Sequence, residues 1–302
     1  MTTVTFYSYK GGAGRSSTTL NTLPYLVKTL GADAKHPILL LDMDLDSAGM
    51  TYLLNQDKHF QQPEVYDVKS LLTQQVKWSN DWEENLSDSK LYQMFVPVGE
   101  ILGVENDAIM FLGVDDTSTI DNNEMDGTKE AVFTKLDQFC RNNDISAVVM
   151  DSSAGDQFSA QLATQAADDI VCCMRPTMQF RIGTFNYLDR LAALHRTNQR
   201  ILLLPTVVPN VDREIDGEYQ KEKAVTNILD RTNFLKKKHT NIMKVDTRFI
   251  NVDALGINEV ERFKWKEGVL YKLSKTSEMK EDELEAMKRY EKLAEALAET
   301  GD

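Results

Sequence analysis

Apolar positions along the chain fall into short continuous runs of strand length, separated by stretches in which they recur every three or four residues. Val4 and Phe6 with their neighbours form the first run, and Leu20, Leu23, Val27 and Leu30 follow at helical spacing. A buried strand therefore passes into a helix there. Pro37–Leu41, Ser146–Met150, Ile170–Met174 and Ile201–Pro205 are further runs, of the kind that parallel strands covered on both faces require. Helical period returns through Val132, Leu136 and Phe139, from about Ile182 through Leu188 and Leu191, and at Leu284, Met287, Tyr290, Leu293 and Leu297. This alternation predicts an α/β fold with one doubly wound, mostly parallel sheet and helices on both faces. Neither an internal repeat nor a low-complexity linker divides residues 1–302, so one domain is expected.

The pattern weakens between Asn55 and about Asn143. Asp67–Leu72 reads as a short helix, Leu91–Pro97 and Ala108–Leu112 as strands, and the acidic stretch Asp115–Gly127 as a loop. Residues of about 55–130 thus make an elaboration, either an insertion that binds a partner or an extension of the sheet edge.

Candidate chemistry concentrates where the runs end. Between the first strand and its helix lies Tyr7-Ser8-Tyr9-Lys10-Gly11-Gly12-Ala13-Gly14-Arg15-Ser16-Ser17-Thr18. Three glycines let the backbone curl with its amides inward, and the helix N-terminus behind them adds its dipole. The loop from Gly11 through Ala13 and Gly14 to Arg15, Ser16 and Ser17 is therefore a candidate cradle for a polyphosphate, with the Ser16 hydroxyl placed for a phosphate-bound Mg²⁺. The usual phosphate loop is G-x-x-x-x-G-K-[ST]; here Tyr9 stands at the first glycine and Arg15 at the lysine. The second run ends in Asp42-Met43-Asp44-Leu45-Asp46, and the period of two puts Asp42 and Asp44 on one side. The run Ser146–Met150 ends in Asp151, followed by Ser152-Ser153-Ala154-Gly155. Carboxyl ends of parallel strands are where open α/β sheets bind ligands, and Asp151 can hold a water of a Mg²⁺ shell.

Lys10-Gly11-Gly12-x-Gly14-[K/R]-[ST] resembles the deviant Walker A loop of the ParA/MinD family of P-loop ATPases, in the subgroup that carries Arg in place of the loop lysine. The resemblance spans most of the chain but rests on the three strand-end motifs. It implies ATP and Mg²⁺ as cofactors and an ATP-dependent homodimer in which Lys10 reaches the partner's nucleotide. It assigns Asp44 to orienting the attacking water, Asp42 to the metal side, and Asp151 to the Walker B strand. It also implies that Thr206–Val211 reads the base, with Asn210 as the nominee, that Gln179 precedes a helix and faces the dimer partner, and that Thr247–Asp253 is the last strand.

Charge narrows the partners. The net charge of −13 disfavours unaided DNA binding, which needs a basic face. Lys236-Lys237-Lys238 is the most basic short run, and such runs are ordinarily solvated helix ends. The acidic final helix would be repelled by anionic lipid, and no apolar run reaches the length of a membrane span. Cys140, Cys172 and Cys173 have no metal-ligand spacing and read as core thiols. The expectation is a cytoplasmic ATP-dependent switch acting on a protein partner; the alternative is a nucleotide-sensing regulatory scaffold with little turnover.

Overall fold

The apolar runs lie side by side in one eight-stranded sheet. The computed structural model describes residues 2–62, 65–73, 91–117, 129–193, 199–215, 218–239, 244–264 and 266–299. In chain order the strands are β1 (Thr2–Ser8), β2 (Ile38–Met43), β3 (Val96–Pro97), β4 (Ile109–Leu112), β5 (Ala147–Ala154), β6 (Asp169–Met174), β7 (Arg200–Pro205), β8 (Glu214–Ile215), β9 (Glu218–Tyr219) and β10 (Lys244–Asp246). The helices are α1 (Arg15–Leu30), α2 (Gly49–Leu53), α3 (Asp57–Phe60), α4 (Val68–Leu72), α5 (Gly99–Leu102), α6 (Lys129–Asn142), α7 (Phe158–Ala166), α8 (Met178–Ala193), α9 (Gln220–Lys238), α10 (Leu270–Leu273) and α11 (Glu281–Ala298).

The sheet order is β10-β7-β6-β1-β5-β2-β4-β3, parallel throughout except for the β3–β4 edge pair, while β8 and β9 form a separate hairpin. Every residue of β2 and β6 is buried, as parallel strands sandwiched between helices demand. Gly14 and Gly31, both with positive φ, bound α1 at its two ends. This helix packs against α11, whose Ala286, Tyr290, Leu293, Ala294 and Leu297 are buried.

Several expectations need correction. Leu91–Pro97 is not a full strand. Tyr92–Met94 is a 3₁₀ turn and only Val96–Pro97 joins the sheet, at its edge, where a proline without an N–H is tolerated. Thr247–Asp253 is not the last strand either, since β10 ends at Asp246. The chain instead returns to the end of β7 at residues 256–259, where the Ile257 N–H donates to the Pro205 carbonyl (2.8 Å) and the Glu259 N–H to the Val208 carbonyl (2.8 Å). Gly256 sits so close that a Cβ there would lie 1.9 Å from the Pro205 oxygen. Helix α8 begins at Met178, ahead of Ile182, and therefore contains Gln179. Leu284 is 47% exposed. In its place the first turn of α11 buries Glu283, which accepts from Arg262 and from the Lys280 N–H. The loop expected at Asp115–Gly127 lies largely outside the described residues. The three lysines occupy the last turn of α9, where Lys238 pairs with Asp189. The cysteines are buried free thiols.

Candidate functional site

Strand register assembles the site. In the parallel β2–β5 pair Asp42 lies abreast of Asp151, and β1 matches Phe6 to Asp151 before its register with β5 shifts. Two carboxylates from distant segments thus meet at the carboxyl ends of neighbouring strands, with Asp44 two residues beyond. The loop between β1 and α1 arches over them. Gly12 and Gly14 have φ of 75°, which favours glycine. A Cβ built on Gly11 would meet nothing within 4 Å, and Gly11 has no positive φ. The protein's own packing does not require glycine there; a side chain would crowd only a group that approached the loop from outside.

The loop is tied down from three sides. The Ala13 carbonyl accepts from the Thr206 hydroxyl (2.5 Å), the Gly12 carbonyl from Arg175 Nε (2.7 Å), and the Ser8 carbonyl from the Gly155 N–H (2.9 Å). Lys10 Nζ donates to Gln179 Oε1 of the same chain (3.2 Å). Gln179, expected ahead of a helix, lies within α8 and bonds Lys10 of its own chain.

Beneath the loop, Arg15 is buried and turned inward. Its Nε donates to Asp151 Oδ1 (2.9 Å) and its Nη2 to Asp44 Oδ2 (3.1 Å). Ser16 Oγ donates to Asp151 Oδ2 (2.6 Å), and Thr19 Oγ1 lies 3.2 Å from Asp151 Oδ1. Burial works against the Arg15 charge, but attraction to Asp151 and Asp44 outweighs it and holds the guanidinium above its ordinary value. Burial pushes the Asp151 carboxyl up, opposed by Arg15 and Ser16. Ser17 is partly buried on the first turn of α1.

Asp42 is engaged by α2 and by its own strand end. It accepts the Thr51 N–H (2.9 Å), the Thr51 hydroxyl (2.8 Å) and the Asp44 N–H (3.1 Å). Burial, and next the neighbouring Asp151, lift its pKa from 3.8 to about 7 against those hydrogen bonds. Because the folded value exceeds the ordinary one, the folded chain takes up a proton between these limits. The resulting stabilisation is complete below the ordinary value and is lost as the pH rises through about 7. Between pH 4 and 7 the wild-type unfolding free energy is therefore expected to fall by up to about 4 kcal/mol relative to Asp42→Asn, as measured by urea denaturation across the window.

The donor set suits Mg²⁺. Ser16 Oγ and Asp151 are hard oxygen donors in contact, and this ion is ordinarily held by one or two protein oxygens together with phosphate oxygens. Among the described residues no group of three or more His, Cys, Asp or Glu is placed to hold a metal without phosphate. The Asn210 amide donates to the Glu259 carbonyl (3.0 Å). It borders a groove of about 870 Å³ with Pro176, Met178, Arg181 and Val211.

Thr19, Thr51 and Arg175 are not among the residues expected from sequence, and Thr206, expected in the base-reading segment, bonds the loop at the Ala13 carbonyl. Thr19 carried a signal, since it stands one helical turn beyond Arg15 and shares its face. Thr206 directly follows the β7 run.

No protein-family model matches the sequence, and no curated protein matches it. Solved structures do match. MinD from Pyrococcus horikoshii complexed with Mg-ADP is 17% identical, with 98% of this chain and 95% of that one covered, at a TM-score of 0.58. In the MinC:MinD complex of Aquifex aeolicus the identity is 15%, the coverage 100% and 97%, and the TM-score 0.60. An McdA–ATP complex from Cyanothece is 14% identical over 98% and 96%, at a TM-score of 0.61. The chain has the MinD-type P-loop fold. No helix of the described residues is long and apolar enough to cross a membrane.

Proposed function

We propose that the chain is an ATP-binding, slowly hydrolysing switch in which Mg-ATP joins two protomers and the joined form positions or regulates a protein partner. The observation that carries this reading is the open, glycine-lined loop at a helix N-terminus with Ser16 and Asp151 in contact beneath it. It is supported by a fold shared with MinD bound to Mg-ADP, McdA bound to ATP and MinD in complex with MinC.

In this reading the amides of Gly11, Gly12, Ala13 and Gly14, with Ser17, hold the phosphates. Ser16 and Asp151 hold Mg²⁺, with Asp42 on the metal side beside Asp151 and bonded to Thr51. When bound, the ion supplies charge stabilisation to the transferring phosphoryl group. Lys10, once released from Gln179, reaches across the dimer. Asp44, once released from Arg15, orients the attacking water. Asn210 borders the base. The acidity of the chain favours a protein partner over DNA.

A second reading, a regulatory scaffold that binds nucleotide and hardly turns it over, is favoured by one observation. Arg15 is engaged by Asp151 and Asp44 and not directed at the cradle.

Light scattering with and without Mg-ATP, with phosphate release followed in the same samples, separates the two. The switch predicts an ATP-dependent doubling of mass that Lys10→Ala abolishes and Asp44→Ala traps. Unchanged mass, with bound and intact ATP in every variant, would overturn the switch and leave the scaffold.

A further inference from the structure

The side chain at position 15 does what a lysine would do less well. A planar guanidinium donates to two acceptors from separate nitrogens, and here Nε takes Asp151 while Nη2 takes Asp44 and lies 3.4 Å from Ser16 Oγ. Ser16 is itself bound to the other oxygen of Asp151. The protein oxygens suited to a divalent ion are therefore already gathered around one organic cation. Side-chain exposure is 9% for Arg15, 14% for Asp44 and 0% for Asp151. Buried charges of this kind are strongly destabilised when one partner leaves alone, so Arg15 leaves Asp151 readily only in exchange for another cation.

We propose that Arg15 is the resident cation of the Asp151–Asp44 pair, that it competes with the divalent ion for Asp151, and that its departure frees Asp151 and Asp44 in one event. Residue 15 then sets how much Mg²⁺ the loop needs to hold a polyphosphate, and metal loading releases the carboxylate assigned to water. The second consequence rests on the phosphate-loop reading; the competition itself does not.

The test is Mn²⁺ binding followed by electron paramagnetic resonance on the full chain without nucleotide. Wild type is expected to bind Mn²⁺ weakly, Arg15→Lys about tenfold more tightly and Arg15→Gln about a hundredfold, since lysine keeps one of the two charge-assisted hydrogen bonds that Arg15 makes to the carboxylates and each bond removed from competition is worth about a factor of ten. Circular dichroism checks the fold of each variant, and Arg15→Lys keeps the buried charge paired should Arg15→Gln fail to fold. Equal Mn²⁺ affinity in wild type and the folded variants would overturn the competition. In parallel, the Mg²⁺ concentration that half-saturates binding of a fluorescent ATP analogue should drop about tenfold in Arg15→Lys. If no variant binds nucleotide yet Mn²⁺ affinity rises as stated, the phosphate-loop reading falls and the competition stands.

Discussion

Asp151→Ala is expected to lower the unfolding free energy by about 3–5 kcal/mol, the range for removing one partner of a buried ion pair, and to abolish nucleotide binding. Asp151 sits on β5, between β1 and β2 in the sheet. It receives Arg15 Nε and the hydroxyls of Ser16 and Thr19. Without it the Arg15 guanidinium keeps only Asp44 as a charged partner, and the Ser16 hydroxyl loses its acceptor while Thr19 keeps the Arg15 carbonyl at 3.1 Å. The lost hydrogen bonds matter less than the uncompensated charge, since each neutral bond contributes only about 1 kcal/mol. That ranking is itself testable. The double variant Asp151→Ala/Arg15→Met removes the charge along with its partner and is expected to recover more than half of the loss in urea denaturation, because apolar replacement of a whole buried pair is often neutral. Nucleotide affinity would stay lost in both variants, for want of a metal-side carboxylate. A single variant within about 1 kcal/mol of wild type would show that Arg15 and Asp151 do not depend on each other.

The site was legible in the sequence wherever chemistry coincided with a local pattern. The β1–loop–α1 unit follows from Val4, Phe6, the glycines and the Leu20 to Leu30 period, and Asp42 and Asp151 stand out because each ends an apolar run. The direction taken by Arg15 was not legible. It depends on the register that sets Asp42 beside Asp151 across neighbouring strands, and one sequence read along its length carries no register between distant strands. Thr51 escaped for a similar reason, since its two hydrogen bonds to Asp42 require a short helix to fold back over β2. Leu91–Pro97 misled because apolar content alone does not distinguish a strand from a packed turn. Thr247–Asp253 misled because its polar turn residues are engaged locally, with Asp246 accepting from the Arg248 N–H and side chain.

Gly183 lies inside α8, and the contact that requires a glycine there leads to the second large effect. Gly183→Ala is expected to weaken nucleotide binding about tenfold or more, although alanine is the better helix former by about 1 kcal/mol. A Cβ at position 183 would fall 1.9 Å from Tyr9 Cδ1, 2.1 Å from Cε1 and 2.6 Å from Cγ, so the whole ring must move. Overpacking of this kind costs about 1–3 kcal/mol, enough to outweigh the helix propensity. The strain falls on the loop because Tyr9 precedes Lys10, whose amine is held by Gln179 on the same helix, and because Tyr7 stacks on Tyr187 (4.3 Å) one turn further along. Helix α8 is thereby the bed on which the loop rests, and the absence of a side chain at Gly183 sets the height of Tyr9. Tyr9→Ala empties the contested space, so Tyr9→Ala/Gly183→Ala should bind nucleotide better than Gly183→Ala alone. A four-cornered cycle of fluorescent-nucleotide affinity and melting temperature measures the coupling. If Gly183→Ala alone raised the melting temperature with affinity unchanged, helix propensity would be the whole effect and Tyr9 would not be positioned by this contact.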